Sequence, residues 1–146
     1  MTTERSELIN TALTALQEMI WHGRIRFQHL ARQHRLTSPQ ASVLLFIDRN
    51  GPETTMGECA DALQISASSI TSIVNRLVGL KLIQRGDGRD DRRVVSASLT
   101  TTGQNVVRTI SAQRRESFAQ LLEDVDDADM AHFNEVLGTV RRSMTT

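Results

Sequence analysis

The feature that most constrains this chain is a pair of short helical segments separated by only three residues. Thr55, Met56, Gly57 and Glu58 form a capping-box pattern, in which a threonine hydroxyl and a glutamate carboxylate three residues later satisfy each other's backbone N–H groups. Met56, Cys59, Ala60 and Leu63 then recur at helical spacing over residues 56–63. After Gln64, Ile65 and Ser66, a second apolar stripe of Ile70, Ile73, Val74, Leu77 and Leu80 predicts a helix over about 67–81. Two helices joined so tightly predict a helix-turn-helix.

The outer face of that second helix is chemically selective. It carries Ser68, Thr71, Ser72, Asn75 and Arg76, and no acid stands between Ser66 and Lys81. Exposed helix faces are ordinarily rich in Glu and Lys, which favour helix and pair at i,i+4. Ser, Thr and Asn are poorer helix formers, so their presence calls for a reason other than stability. Hydroxyls, an amide and a guanidinium are the groups that meet base edges and phosphates in a major groove. The candidate contacts on this segment are Ser66, Ser68, Ser69, Thr71, Ser72, Asn75 and Arg76. The plainer alternative is a solvated helix face, and the helix-turn-helix spacing weighs against it.

Around this centre the chain reads as helices. Ile9, Leu13, Leu16, Ile20, Phe27 and Leu30 mark a first helix over about 8–31; Leu8, Ala12, Ala15 and Met19 flank that stripe, so the helix needs burial on two faces. A second helix begins with Ser38 as its cap and Pro39 in its first turn, and stops at Asn50-Gly51. Residues 82–85 and 93–99 predict two strands joined by a polar loop of turn residues, Gly86 to Arg92. Thr100 then caps a long helix and Asp126 a last one. The expected fold is mainly α with a small β hairpin, in the order α-α-α-α-β-β-α-α.

Composition matters chiefly through what it conceals. Lys and Arg number 17 and so do Asp and Glu, which leaves no net charge. Between Leu63 and Thr100, however, six basic residues face three acids, whereas residues 121–140 hold six acids and no Lys or Arg. The chain is therefore dipolar, and its positive part coincides with the serine-rich helix and the hairpin, where Arg85, Arg89, Arg92 and Arg93 stand. A single cysteine excludes an internal disulfide, and five aromatics without tyrosine disfavour a stacking platform for single strands. The longest purely apolar run, residues 43–47, is too short to span a membrane, and the first residues lack a signal-peptide stretch, so the expected location is cytoplasmic.

Two segments carry a family resemblance. Leu36-Thr37-Ser38-Pro39-Gln40 followed by Val43-Leu44, and Asp91-Arg92-Arg93 followed after five residues by Leu99-Thr100 and then Gly103, resemble MarR-type transcriptional regulators. The resemblance implies a homodimeric winged helix-turn-helix protein. It would bind a short palindromic operator in double-stranded DNA, usually as a repressor released by a small ligand. Over residues 1–146 it implies one domain, with 36–100 as the DNA-binding part and 1–35 and 101–146 as dimerisation helices. It places the reading helix at 66–81 and the wing at 85–93. Asp91 would orient the wing arginines, and Arg92 or Arg93 would approach the minor groove. Members that sense peroxide place a cysteine near the start of the first helix; Met19 and Trp21 stand in that region here, which disfavours that mechanism.

Other residues invite weaker readings. Trp21, His22, Ile25, Arg26 and Phe46 could line a pocket for a small apolar or anionic effector, where the first two helices should meet; exposed histidines beside a core tryptophan are the equally weighted alternative. His22 and His29 lack a third ligand at a suitable spacing, so no metal is expected, and no cofactor motif is present. Cys59, on an inward stripe, reads as a core residue. The chain has no P-loop, nucleophile elbow, dinucleotide fingerprint or His-Glu-x-x-His, which argues against an enzyme. A winged-helix module that binds protein and not DNA is the alternative function.

Overall fold

The computed structural model describes residues 2–87 and 95–144. Its elements are α1 (Thr3–Gln33), α2 (Ser38–Asn50), β1 (Thr54–Thr55), α3 (Met56–Leu63), α4 (Ala67–Gly79), β2 (Ile83–Asp87), β3 (Val95–Leu99), α5 (Thr101–Leu121) and α6 (Asp127–Ser143). The expected helices and hairpin are present in the expected order, with one strand added.

That strand is β1. It pairs with β3 through Thr54–Ala97 and Thr55–Ser96, giving a three-stranded antiparallel sheet in the order β1-β3-β2. The strands β2 and β3 pair antiparallel from Ile83–Leu99 to Asp87–Val95. Several boundaries also differ from those the sequence predicts: α1 starts at Thr3, ahead of Leu8, and β2 runs on to Asp87, into the expected loop. Thr37, not Ser38, caps α2: its hydroxyl accepts from the Gln40 N–H, and the Gln40 side chain accepts from the Thr37 N–H. Helix α4 ends at Gly79, short of Lys81. Lys81 turns into the left-handed region (φ 59°) and Leu82 N–H returns to the Leu77 carbonyl, which swings Leu82 inward.

The chain divides into two compact units, residues 1–111 and 112–146. The core of the first unit is built from Val43, Leu44 and Ile47 of α2, Cys59 of α3, Ile70, Val74 and Leu77 of α4, Ile83 and Ala97 of the sheet, and Val107 and Ile110 of α5. Burying a side chain of this size stabilises by roughly 1.5–3 kcal/mol, so the stripe on α4 alone fixes that helix firmly. The second unit holds the end of α5 and all of α6. No residue of α6 is buried, and Phe118, Leu121, Val136, Leu137 and Val140 stay exposed. Helix α1, 31 residues and about 46 Å long, likewise buries only Ala31 and leaves Leu8, Ile9, Leu13, Leu16 and Ile20 between 45% and 67% exposed.

Candidate nucleic-acid interface

The turn between α3 and α4 is held from both sides. Thr55 and Glu58 form the capping box that starts α3. Gln64 closes α3 in the left-handed conformation, with its side-chain amide donating to the Asp61 carbonyl at 2.7 Å. Two residues on, the Ser66 hydroxyl accepts from the Ser69 N–H at 3.2 Å and caps α4. The same oxygen lies 2.9 Å from Ser69 Oγ and 3.2 Å from Ser68 Oγ. Three hydroxyls thus cluster at the N-terminus of a helix whose first turn contains no acid. Helix N-termini present partial positive charge and free N–H groups, an environment suited to phosphate.

Ile70, Val74 and Leu77 anchor one side of α4 with Ile73 packed beside them, which turns the polar positions outward. Ser68, Thr71, Ser72, Asn75 and Arg76 are all exposed, as expected. Two of these side chains are already engaged. Thr71 Oγ1 donates to the Ala67 carbonyl at 2.9 Å, which commits its hydrogen to the helix. Asn75 Oδ1 accepts from Arg85 Nη2. Alternation along β2 explains this contact: Arg85 shares a strand face with buried Ile83, so it reaches back to α4. The sequence alone assigns Arg85 to the wing and Asn75 to the groove without linking them. The wing residues Arg89, Asp91, Arg92 and Arg93 lie outside the described residues.

The join between β3 and α5 explains the Leu-Thr-x-x-Gly pattern. Thr100 Oγ1 donates to the Lys81 carbonyl at 2.6 Å and accepts from the Gly103 N–H at 3.0 Å, while Thr100 N–H donates to the Leu82 carbonyl. One threonine therefore caps α5 and pins the exit of α4. Gly103 packs against the Leu82 backbone, where any side chain would collide.

An open cleft of about 720 Å³ lies between α1, the start of α2 and the α3–α4 turn. Trp21 and Ile25 line it with Arg24, Gln28, Arg32 and Ser42. His22, Arg26 and Phe46 are not among its lining residues; His22 and Arg26 are exposed on α1, and Phe46 packs against the core. Sequence reasoning missed Arg24 and Arg32, although their spacing of three and eleven from Trp21 keeps them near one helix face. Cys59 is fully buried, and burial, with the Glu58 carboxylate beside it, pushes its thiol up to about 11. Among the described residues no three His, Cys, Asp or Glu side chains form a metal-binding group, and no helix is long and apolar enough to cross a membrane.

Comparison with known proteins bears on this arrangement. Residues 34–94 match the MarR family. The chain is similar to the transcriptional repressor IacR of Pseudomonas putida, 25% identical over 86% of this chain and 75% of that protein. Its fold is similar to that of a MarR family protein from Bacillus stearothermophilus, with a TM-score of 0.87 over all of both chains at 22% identity. It also resembles Staphylococcus aureus MepR, in a mutant form bound to an oligodeoxyribonucleotide, with a TM-score of 0.66 over 90% of this chain and 97% of that one at 22% identity.

Proposed function

The chain belongs to the MarR family and is a DNA-binding transcriptional regulator; from that premise we propose that it works as a homodimeric repressor, released from a palindromic operator by a small effector. The observation that carries the reading is the acid-free, serine-capped α4, anchored by Ile70, Val74 and Leu77 with Asn75 and Arg76 turned outward. In a major groove, Ser66, Ser68 and Ser69 would meet phosphate, and Thr71, Ser72, Asn75 and Arg76 the base edges. Arg85, Arg89, Arg92 and Arg93 supply positive charge from the wing, with Asp91 orienting them.

The exposed apolar side chains of α1 and of residues 112–146 support dimerisation through residues 1–35 and 101–146. A two-fold dimer would present both reading helices to half-sites about one helical turn apart. IacR is a repressor, and repression is the direction proposed here. The cleft beside Trp21 and Ile25, with Arg24 and Arg32 at its wall, suits an apolar anion. A DNA partner supports a cytoplasmic location and a regulatory, non-catalytic role.

Gel retardation of genomic fragments, together with sedimentation, tests the proposal. The expected result is a dimer at micromolar concentration that retards a small set of fragments in the presence of competitor DNA. A stable monomer, or no retardation even at low salt, would overturn it.

A further inference from the structure

We propose that Arg85 determines which base Asn75 reads, by holding the Asn75 side chain as a hydrogen-bond donor; this rests on the DNA-binding reading above. A guanidinium can only donate, so its partner on Asn75 must be Oδ1, and this fixes the orientation of the amide. With Oδ1 engaged, Asn75 offers the groove its Nδ2 hydrogens. Bidentate pairing with adenine needs an acceptor for N6 and a donor for N7 together; the Arg85 guanidinium takes one of the two lone pairs of Oδ1 and sets a positive charge and further donors beside the place of the N6 amino group, which disfavours that pairing. Guanine presents N7 and O6, two neighbouring acceptors, and suits a donor-only amide.

Thr71, one turn before Asn75, has given its hydrogen to the Ala67 carbonyl and offers the groove only lone pairs, so it adds no donor to the face. Arg76, the next residue, can only donate. The face therefore pairs a donor-only Asn75 with a donor-only arginine, and Arg85 is the positioning residue that makes the amide so. Arg85 sits on the strand that leads into the wing, so the state of the wing base and the base preference of the reading helix are joined by a single contact.

Selection of bound sequences from a random duplex pool, using the full chain, tests the inference. The wild type should enrich a motif with guanine at one position in each half-site. Asn75→Ala should lose the preference at that position and keep the rest of the motif. Arg85→Met should turn the position to adenine, because Oδ1 is released, and Arg85→Lys, which retains a donor, should keep guanine. A second measurement does not depend on how the Arg85 variants fold. Replacing that guanine by 7-deazaguanine should weaken wild-type binding about tenfold, and Asn75→Ala binding hardly at all. Adenine at that position in the wild type, guanine persisting in Arg85→Met, or equal loss for both proteins on 7-deazaguanine would overturn the inference while leaving DNA binding intact. Failure of the wild type to enrich any motif would overturn the DNA-binding reading itself, and this inference with it.

Discussion

Gly103 stands so close to Leu82 that a Cβ atom on it would lie 2.0 Å from the Leu82 carbonyl oxygen and 3.0 Å from the carbonyl carbon. The obstruction is backbone, not the end of a flexible side chain, and that same oxygen accepts from Thr100 N–H. The exit of α4 and the first turn of α5 are therefore locked together through one carbonyl. Gly103→Ala should destabilise the protein by about 3 kcal/mol, at the upper end of the usual cost of overpacking. Gly79, in the last turn of α4 with nothing within 4 Å of its Cβ position, is the control. Gly79→Ala should stabilise by about 0.5–1 kcal/mol through helix propensity. Urea unfolding of both variants measures the contrast, and equal effects would show that the contact does not constrain the fold.

Thr100 adds a second consequence at the same joint. Its hydroxyl donates to Lys81 and accepts from Gly103, so Thr100→Val, which keeps the shape, leaves the Gly103 N–H without its cap and removes the donor to the α4 exit. Loss of a cap costs about 0.5–2 kcal/mol. The expected change is a lower urea midpoint with an unchanged slope, since the unfolded state exposes the same surface.

The Cys59 thiol gives a pH prediction with a definite sign. Burial raises it from an ordinary 9.0 to about 11. The unfolded chain loses this proton near pH 9 while the folded chain keeps it, so between those values the folded state binds more protons. Stability contributed by Cys59 is thus complete below pH 9 and declines as pH rises toward 11, with a limiting slope of about 1.4 kcal/mol per pH unit. Cys59→Ala should flatten the loss of stability over that window. Alkylation at pH 8 should be slow in the native protein and fast in urea, because the thiolate is the reactive form; rapid native alkylation would contradict the burial.

How much of this is legible in the sequence depends on how local each cause is. The caps at Thr55, Ser66, Thr100 and Asp126 follow from residue type and a spacing of three, and each is observed. Gln40, three residues after Thr37, carries the same information for α2, but Pro39 draws the expected start of the helix one residue late. The strand β1 has two residues, too few for any periodicity, and exists because β3 offers it an edge. The link between Asn75 and Arg85 spans ten residues across a helix end and a strand, so no helical or strand period announces it. In α1 the expected pocket mixes two neighbouring stripes: Trp21 and Ile25 line the cleft, whereas His22 and Arg26 are each one residue further round.

The cleft so defined makes the effector site testable with an intrinsic reporter. Trp21 is the sole tryptophan and lines the cleft together with Arg24 and Arg32. An aromatic carboxylate, with benzoate as the first probe, should change Trp21 fluorescence and weaken DNA binding over the same concentration range. By reciprocity, operator DNA should weaken the probe by the same factor. Arg32→Ala should reduce both effects, whereas Arg26→Ala, away from the cleft, should leave them unchanged. A fluorescence change that survives Arg32→Ala and vanishes in Arg26→Ala would move the site back to the His22 side of α1.

Wing and reading helix should differ in the kind of damage their loss causes. Arg92 and Arg93 belong to the part that the family resemblance assigns to the minor groove, where a cation supplies affinity with little base identity. Arg93→Ala should weaken operator and random DNA alike, and should lower the slope of log affinity against log salt by about one unit per lost phosphate contact in each subunit. Asn75 makes no phosphate contact in the proposed geometry. Asn75→Ala should leave the salt slope unchanged, cost about 1–3 kcal/mol per half-site on the operator and cost little on random DNA. Because the guanidinium of Arg85 is joined to Asn75, Arg85→Met should combine both signatures, with some loss on all DNA and a larger loss on the operator. Salt titrations of the three variants on both DNAs separate these outcomes. If Asn75→Ala lowered both DNAs equally while Arg93→Ala affected the operator alone, the roles of helix and wing would be exchanged.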